Sequence, residues 1–104
     1  MDVQTANNDY DQLVFRLERN HRCVLRMVRK LNSYQFEPKS PQGFDKIKEI
    51  KQGFNQLAKD QLLLFNNLQK QLLDPEAAYE QVKLSLKKFN LMEQKVAAYI
   101  LGDM

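Results

Sequence analysis

The sequence predicts an all-α protein, an antiparallel up-down-up three-helix bundle with long helices. Three observations carry that prediction. Apolar side chains recur at steps of three and four through three long runs, the period of one helical face. The three glycines and three prolines are few and fall mostly between those runs, whereas a sheet-rich chain needs many turns. The breaks, at residues 33–43 and at Asp74-Pro75, are short, so consecutive helices must run antiparallel. A chain of 104 residues with 43% hydrophobic and 28% charged side chains suits one domain with one real core. That domain is read as residues 9–104, behind a flexible N-terminal tail over residues 1–8.

In the first helix, expected over about 9–34, Asn8 or Asp9 is the candidate N-cap. Asp9 and Asp11 fall in the first turn, where they complement the helix dipole. Its inward face is Tyr10, Leu13, Val14, Leu17, Val24, Leu25, Val28 and Leu31. The connection SYQFEPKSPQG follows. Pro38 and Pro41 each push the residue before them out of helical backbone, and Phe36 is expected to plug the end of the bundle.

The second helix is expected over about 44–73. Phe44, Ile47, Ile50, Phe54, Leu57, Gln61, Leu64, Leu68 and Leu72 face inward, with Ala58, Leu62 and Phe65 widening the apolar face. From Ile47 to Leu68 the steps alternate three and four, a coiled-coil-like seam. Interior Gly53 costs about 1 kcal/mol against alanine, which a close helix approach or a mild bend would justify.

Asp74-Pro75-Glu76 is the sharpest local signal: an N-cap, a proline suited to the first helical position, and an acid in the first turn. The third helix is expected over about 75–101, with Gly102 as its C-cap. Its inward face is Ala78, Tyr79, Val82, Leu86, Phe89, Glu93, Val96 and Ile100.

Charge is unevenly placed. Residues 16–30 hold six basic side chains against Glu18 alone, while the rest of the chain holds ten against twelve acids. All five arginines are in that stretch. Arg16, Arg19, Arg22, Arg26, Arg29 and Lys30 share an arc of roughly 140° opposite the apolar face, and Phe15 projects into it. Such a strip suits an acidic partner or a polyanion, because the arginine fork pairs bidentately with carboxylate and phosphate. The plain alternative is a solvated face whose arginine stems cover apolar edges.

Two polar residues interrupt the apolar faces. His21 stands between Leu17 and Val24, and Gln61 between Leu57 and Leu64. His21 lies about twelve residues from the start of the first helix and Gln61 about twelve from the end of the second, so an up-down-up bundle places both in one layer, as a structural polar core that fixes register. The other reading of His21, a phosphorelay histidine, matches that motif poorly, since Val24 and Leu25 stand where it has a lysine and a small residue, and a buried side chain would remove it.

A second stripe, Ala77, Leu84, Leu91 and Ala98, recurs every seven residues away from the third helix's core face, and Leu63 is expected to point outward as well. Seven-residue spacing suits a further helix from a partner or a second copy.

Catalytic chemistry finds no footing. One histidine and one cysteine make no Cys/His metal cluster, Glu93 has no second carboxylate at useful spacing, and no glycine-rich phosphate loop is present. Cys23, beside Arg22 and Arg26, reads as an inert small residue. No catalytic residue, cofactor or metal is therefore expected. No apolar run spans a bilayer, so the expectation is a soluble, intracellular, cytoplasmic protein without membrane insertion. The leading functional expectation is a non-enzymatic helical protein-interaction module. It would be an adaptor, assembly subunit or chaperone-like protein, with a protein partner or self-association through the third helix. The alternative is a nucleic-acid or polyanion-binding module using the arginine strip.

Overall fold

The computed structural model describes the backbone of residues 3–33 and 37–101, and within these the side chains from residue 11 onward. Three helices account for the regular structure among the described residues: α1 Val3–Leu31, α2 Pro41–Gln69 and α3 Pro75–Ile100. Each packs against the other two, giving a three-helix bundle with extents of 57 × 21 × 18 Å. Helix α1 begins at Val3, so residues 3–8, expected in the tail, are helical and the helix starts before the expected cap at Asn8 or Asp9. The positions of Phe36 and Gly102, and the side chain of Tyr10, lie outside what is described.

Helix α2 begins at Pro41 rather than at about 44, and Ser40 is out of helical backbone as expected. Ser40 is extended (φ −149°, ψ 161°) and its Oγ accepts from the Gly43 N–H at 3.0 Å. Pro41 then occupies the first helical position, where a missing N–H costs nothing. The end of α2 is a correction too: the helix stops at Gln69 rather than at 73. Gln71 adopts left-handed backbone (φ 55°), its N–H donates to Leu68 O at 3.1 Å, and the Leu72 N–H donates to Asn67 O at 2.9 Å. This is the Schellman pattern with glutamine where glycine is usual. Gln71→Gly is accordingly expected to stabilise the bundle by about 0.5–1 kcal/mol, read as a higher urea midpoint. A lower midpoint would show that the Gln71 side chain contributes more than the strain costs. At the start of α3, Asp74 accepts from the Ala77 N–H at 2.7 Å and Pro75 is the first helical residue.

The core is divided along its length. One apolar cluster holds Val24, Leu31, Ile47, Ile50, Phe54, Leu57, Phe89, Val96 and Tyr99. A second holds Leu13, Leu17, Leu64, Leu68, Ala78 and Val82. Between them lie the buried polar residues His21, Gln61 and Ser85, one from each helix. Several expected core positions are exposed instead: Leu25, Phe44, Leu62, Leu72, Tyr79 and Ile100. On α3 the reason is a rotation of the inward face. Its buried residues are Ala78, Val82, Ser85, Phe89, Val96 and Tyr99, with Leu86 and Met92 half-buried and Glu93 exposed. Including Met92, these positions step by four and three, a regular seam into which a serine has been placed. Leu72 is exposed because α2 has already ended, and α2 enters the core with Gly43 in place of Phe44.

Candidate functional site

A buried polar layer crosses the bundle between the two apolar clusters. Gln61 is fully buried, at 0% exposure. Its Nε2 donates to Asn20 Oδ1 at 2.8 Å and to Ser85 Oγ at 3.0 Å. Its Oε1 is left to accept, at 2.9 Å from His21 Nδ1, which therefore carries the ring proton. The His21 ring also meets Phe65 edge-on, with centroids 5.8 Å apart. No buried side-chain nitrogen or oxygen among the described residues lacks a partner. A layer so satisfied resists axial sliding of the helices, since a one-turn slip would orphan every member. His21 is thus held inside the bundle rather than presented to a reactant. Ser85 and Asn20 were not anticipated. Serine in an apolar seam gives no periodic signal, and Asn20 sits at the edge of the α1 face.

Outside that layer, α2 and α3 leave a groove. Its α3 wall contains Gln81, Leu84, Lys88, Leu91, Lys95 and Ala98, and its α2 wall Lys46, Glu49, Gly53, Gln56, Asp60, Leu63 and Asn67. The groove consists of adjoining clefts of about 320, 580 and 230 Å³ that share lining residues. Leu57, Asp60 and Lys88 belong to the first two, and Lys95 and Ala98 to the last two. Both walls are heptad rows, so a straight channel follows the bundle axis. Three of the expected stripe residues line it, with Leu84 47% and Leu91 51% exposed and Ala98 half-buried; Ala77, one heptad before Leu84, is half-buried. Leu63 faces them from α2 at 61% exposure. Leu63 and Leu84 line the first cleft and Leu91 the second, with Asp60 and Lys88 common to both.

Gly53 sits in this wall for a steric reason. A Cβ added there would stand 2.5 Å from Met92 Cε and 3.0 Å from Met92 Sδ. The thioether therefore lies directly on the α2 backbone and forms part of the groove floor. Near one end, Lys95 Nζ reaches Glu49 Oε1 at 3.5 Å, tying α3 to α2. Both side chains are solvated, so this pair contributes at most about 1 kcal/mol.

The arginine strip lies on another face. Phe15, Arg16, Arg19, Arg22, Arg26, Arg29 and Lys30 are all exposed, as is Cys23. Arg22 Nη2 donates to Glu18 Oε1 at 3.1 Å, an i,i+4 pair that offsets part of the positive charge. Arg16 and Arg19 border a shallow cleft of about 360 Å³ between α1 and α3, with Asn20, Cys23, Leu86 and Asn90. The structure does not bring this strip together with the Leu84–Leu91 stripe; they line different grooves of the bundle.

No group of three or more His, Cys, Asp or Glu among the described residues is placed to hold a metal ion. No described helix is long and apolar enough to cross a membrane. Compared with known proteins, the chain matches no protein-family model, and neither a curated protein nor a solved structure shows significant similarity to it.

Proposed function

We propose that the protein is a non-enzymatic helical interaction module, an adaptor, assembly subunit or chaperone-like protein, whose docking surface is the α2/α3 groove. The supporting observation is the exposure of Leu63, Leu84 and Leu91 on the facing walls of one channel. Fully burying a leucine contributes about 1.5–3 kcal/mol, and these three are roughly half-exposed. Covering them yields several kcal/mol, enough to offset part of the cost of association. A three-helix bundle with an apolar channel lacks one helix of a four-helix bundle, and a helix laid in a groove is a standard mode of peptide recognition.

Leu84→Asp and Leu91→Asp are expected to leave the far-ultraviolet circular dichroism and melting temperature near those of the parent, because both side chains already meet water. Each is expected to abolish capture of a protein partner, or self-association if a second copy is the partner. Parent-like association by both variants would remove the groove from consideration.

A second role, polyanion binding along α1, is favoured by the exposure of all five arginines on one helix. It requires affinity for DNA, RNA or heparin that falls steeply with salt. The double substitution Arg22→Ala/Arg26→Ala would then flatten the slope of log K against log salt by about 1.5–2. Absence of any such affinity at low salt would end it.

A further inference from the structure

The clefts of the molecule differ in charge. Each cleft of the α2/α3 groove sets an acid among its lysines, Asp60 in the two larger-numbered leucine-lined ones and Glu49 in the other. The cleft of about 360 Å³ between α1 and α3 does not. It is lined by Arg16, Arg19, Asn20, Cys23, Leu86 and Asn90, with two cations and no acid. Glu18, the one acid between residues 16 and 30, is turned to Arg22 at 3.1 Å. Among the described residues, neither Arg16 nor Arg19 has an ion-pair or hydrogen-bond partner.

The hydrogen-bonding character of this cleft is as one-sided as its charge, and the polar layer decides it at Asn20. The Asn20 Oδ1 is turned inward, where it accepts from the fully buried Gln61 Nε2 at 2.8 Å. The other arm of the planar carboxamide, Nδ2, then points away from Gln61 with two N–H donors. Asn20 is half-buried, and Nδ2 has no acceptor among the described residues. No buried side-chain nitrogen there is left without a partner, so Nδ2 meets solvent, and the α1/α3 cleft is the solvent-filled space that Asn20 lines. Guanidinium groups offer donors alone, and the exposed Asn90 carboxamide on α3 rotates to offer N–H as well.

Positive charge and N–H donors from two helices are complementary to an oxyanion, which only accepts. We infer that the α1/α3 cleft binds a phosphoryl dianion, free or as a small phosphate ester. Arg16 and Arg19, about one turn apart, pair with its oxygens as planar forks. Asn20 Nδ2 and Asn90 donate from α1 and α3, and Leu86 gives the body of an ester an apolar surface. An extended polyanion would instead engage the whole strip, Arg22 to Lys30 included. The site is separate from the α2/α3 docking surface and does not depend on it.

The test titrates the nitrogen-15-labelled full chain with phenyl phosphate and, separately, with inorganic phosphate, at an ionic strength held constant with sodium chloride. The expected result is a saturable set of amide shifts over Arg16 to Cys23 and at Leu86 and Asn90. Tighter binding of phenyl phosphate assigns the site to an ester, equal affinity to free phosphate, and either supports the proposal. Arg16→Gln/Arg19→Gln should abolish saturation, and Asn90→Ala should weaken binding about tenfold. Arg22→Ala/Arg26→Ala should change it by less than about twofold, because salt screens charges outside the cleft. All these side chains are exposed, so every variant should keep the parent's melting temperature. No saturation by about 10 mM of either probe overturns the proposal, as does unchanged binding in Asn90→Ala. Equal loss in the two double variants also overturns it, in favour of diffuse attraction along α1, and leaves the polyanion role standing.

Discussion

Gln61→Ala is expected to lower the stability of the bundle by about 3–5 kcal/mol, measured by urea unfolding. The side chain is fully buried and makes three hydrogen bonds, to His21, Asn20 and Ser85. Truncation leaves a cavity at the junction of the two apolar clusters and removes the hydrogen bonds that His21 Nδ1 and Ser85 Oγ make with Gln61. A buried polar group left without a partner costs about 1–3 kcal/mol, far more than the net gain from making an ordinary hydrogen bond. His21 and Ser85 are each slightly exposed, so water relieves part of that cost. The triple substitution His21→Leu/Gln61→Leu/Ser85→Ala is the control. It removes donor and acceptor together, and its loss should be smaller than that of Gln61→Ala alone despite changing three residues. If Gln61→Ala costs under about 1 kcal/mol, the layer does not hold the helices in register.

Phe54→Ala is the second large effect, a loss of about 3–5 kcal/mol. Phe54 is fully buried at the centre of the longer cluster and meets Phe89 edge-on, with ring centroids 6.2 Å apart. Its neighbours Val24, Leu57 and Phe89 lie on all three helices, so the cavity cannot close by the shift of one element. For a domain near this size the melting temperature should fall by about 15–30 °C. Phe54→Leu keeps most of the volume and should recover more than half of the loss. A fall of only a few degrees for Phe54→Ala would mean that the longer cluster repacks freely.

The sequence carries the architecture in its strongest signals. The apolar steps of three and four mark all three helices, and Asp74-Pro75-Glu76 marks the start of α3 to the residue, because cap chemistry is local. The meeting of His21 and Gln61 follows from counting residues back from the helix ends, since antiparallel helices of constant rise keep their layers in step. What escaped had physical reasons. Ser85 breaks the apolar run that defines the α3 seam, so the inward face was placed about one position off, on Leu86, Glu93 and Ile100 rather than Ser85, Met92 and Tyr99. The left-handed turn at Gln71 uses no glycine and so leaves no mark in composition. Of the candidate groove, the α3 stripe and Leu63 were legible as surplus apolar positions. The rest of the α2 wall, with Gly53, Gln56 and Asp60, has no apolar period, and only the packing of α2 against α3 sets it opposite Leu91 and Lys88.

The claim that the α2/α3 groove is the docking surface is tested most directly by mapping where a bound helix perturbs the chain. Backbone amide shifts of the nitrogen-15-labelled protein would be followed during titration with an amphipathic helical peptide of about three heptads carrying leucine at its seam positions. The predicted result is a continuous set of shifted amides around Gly53, Asp60, Leu63, Leu84, Leu91 and Ala98, with Arg16 to Lys30 of α1 unmoved. Shifts concentrated on Arg16, Arg19, Arg22, Arg26 and Arg29, with the groove silent, would contradict it and move the function to the arginine face.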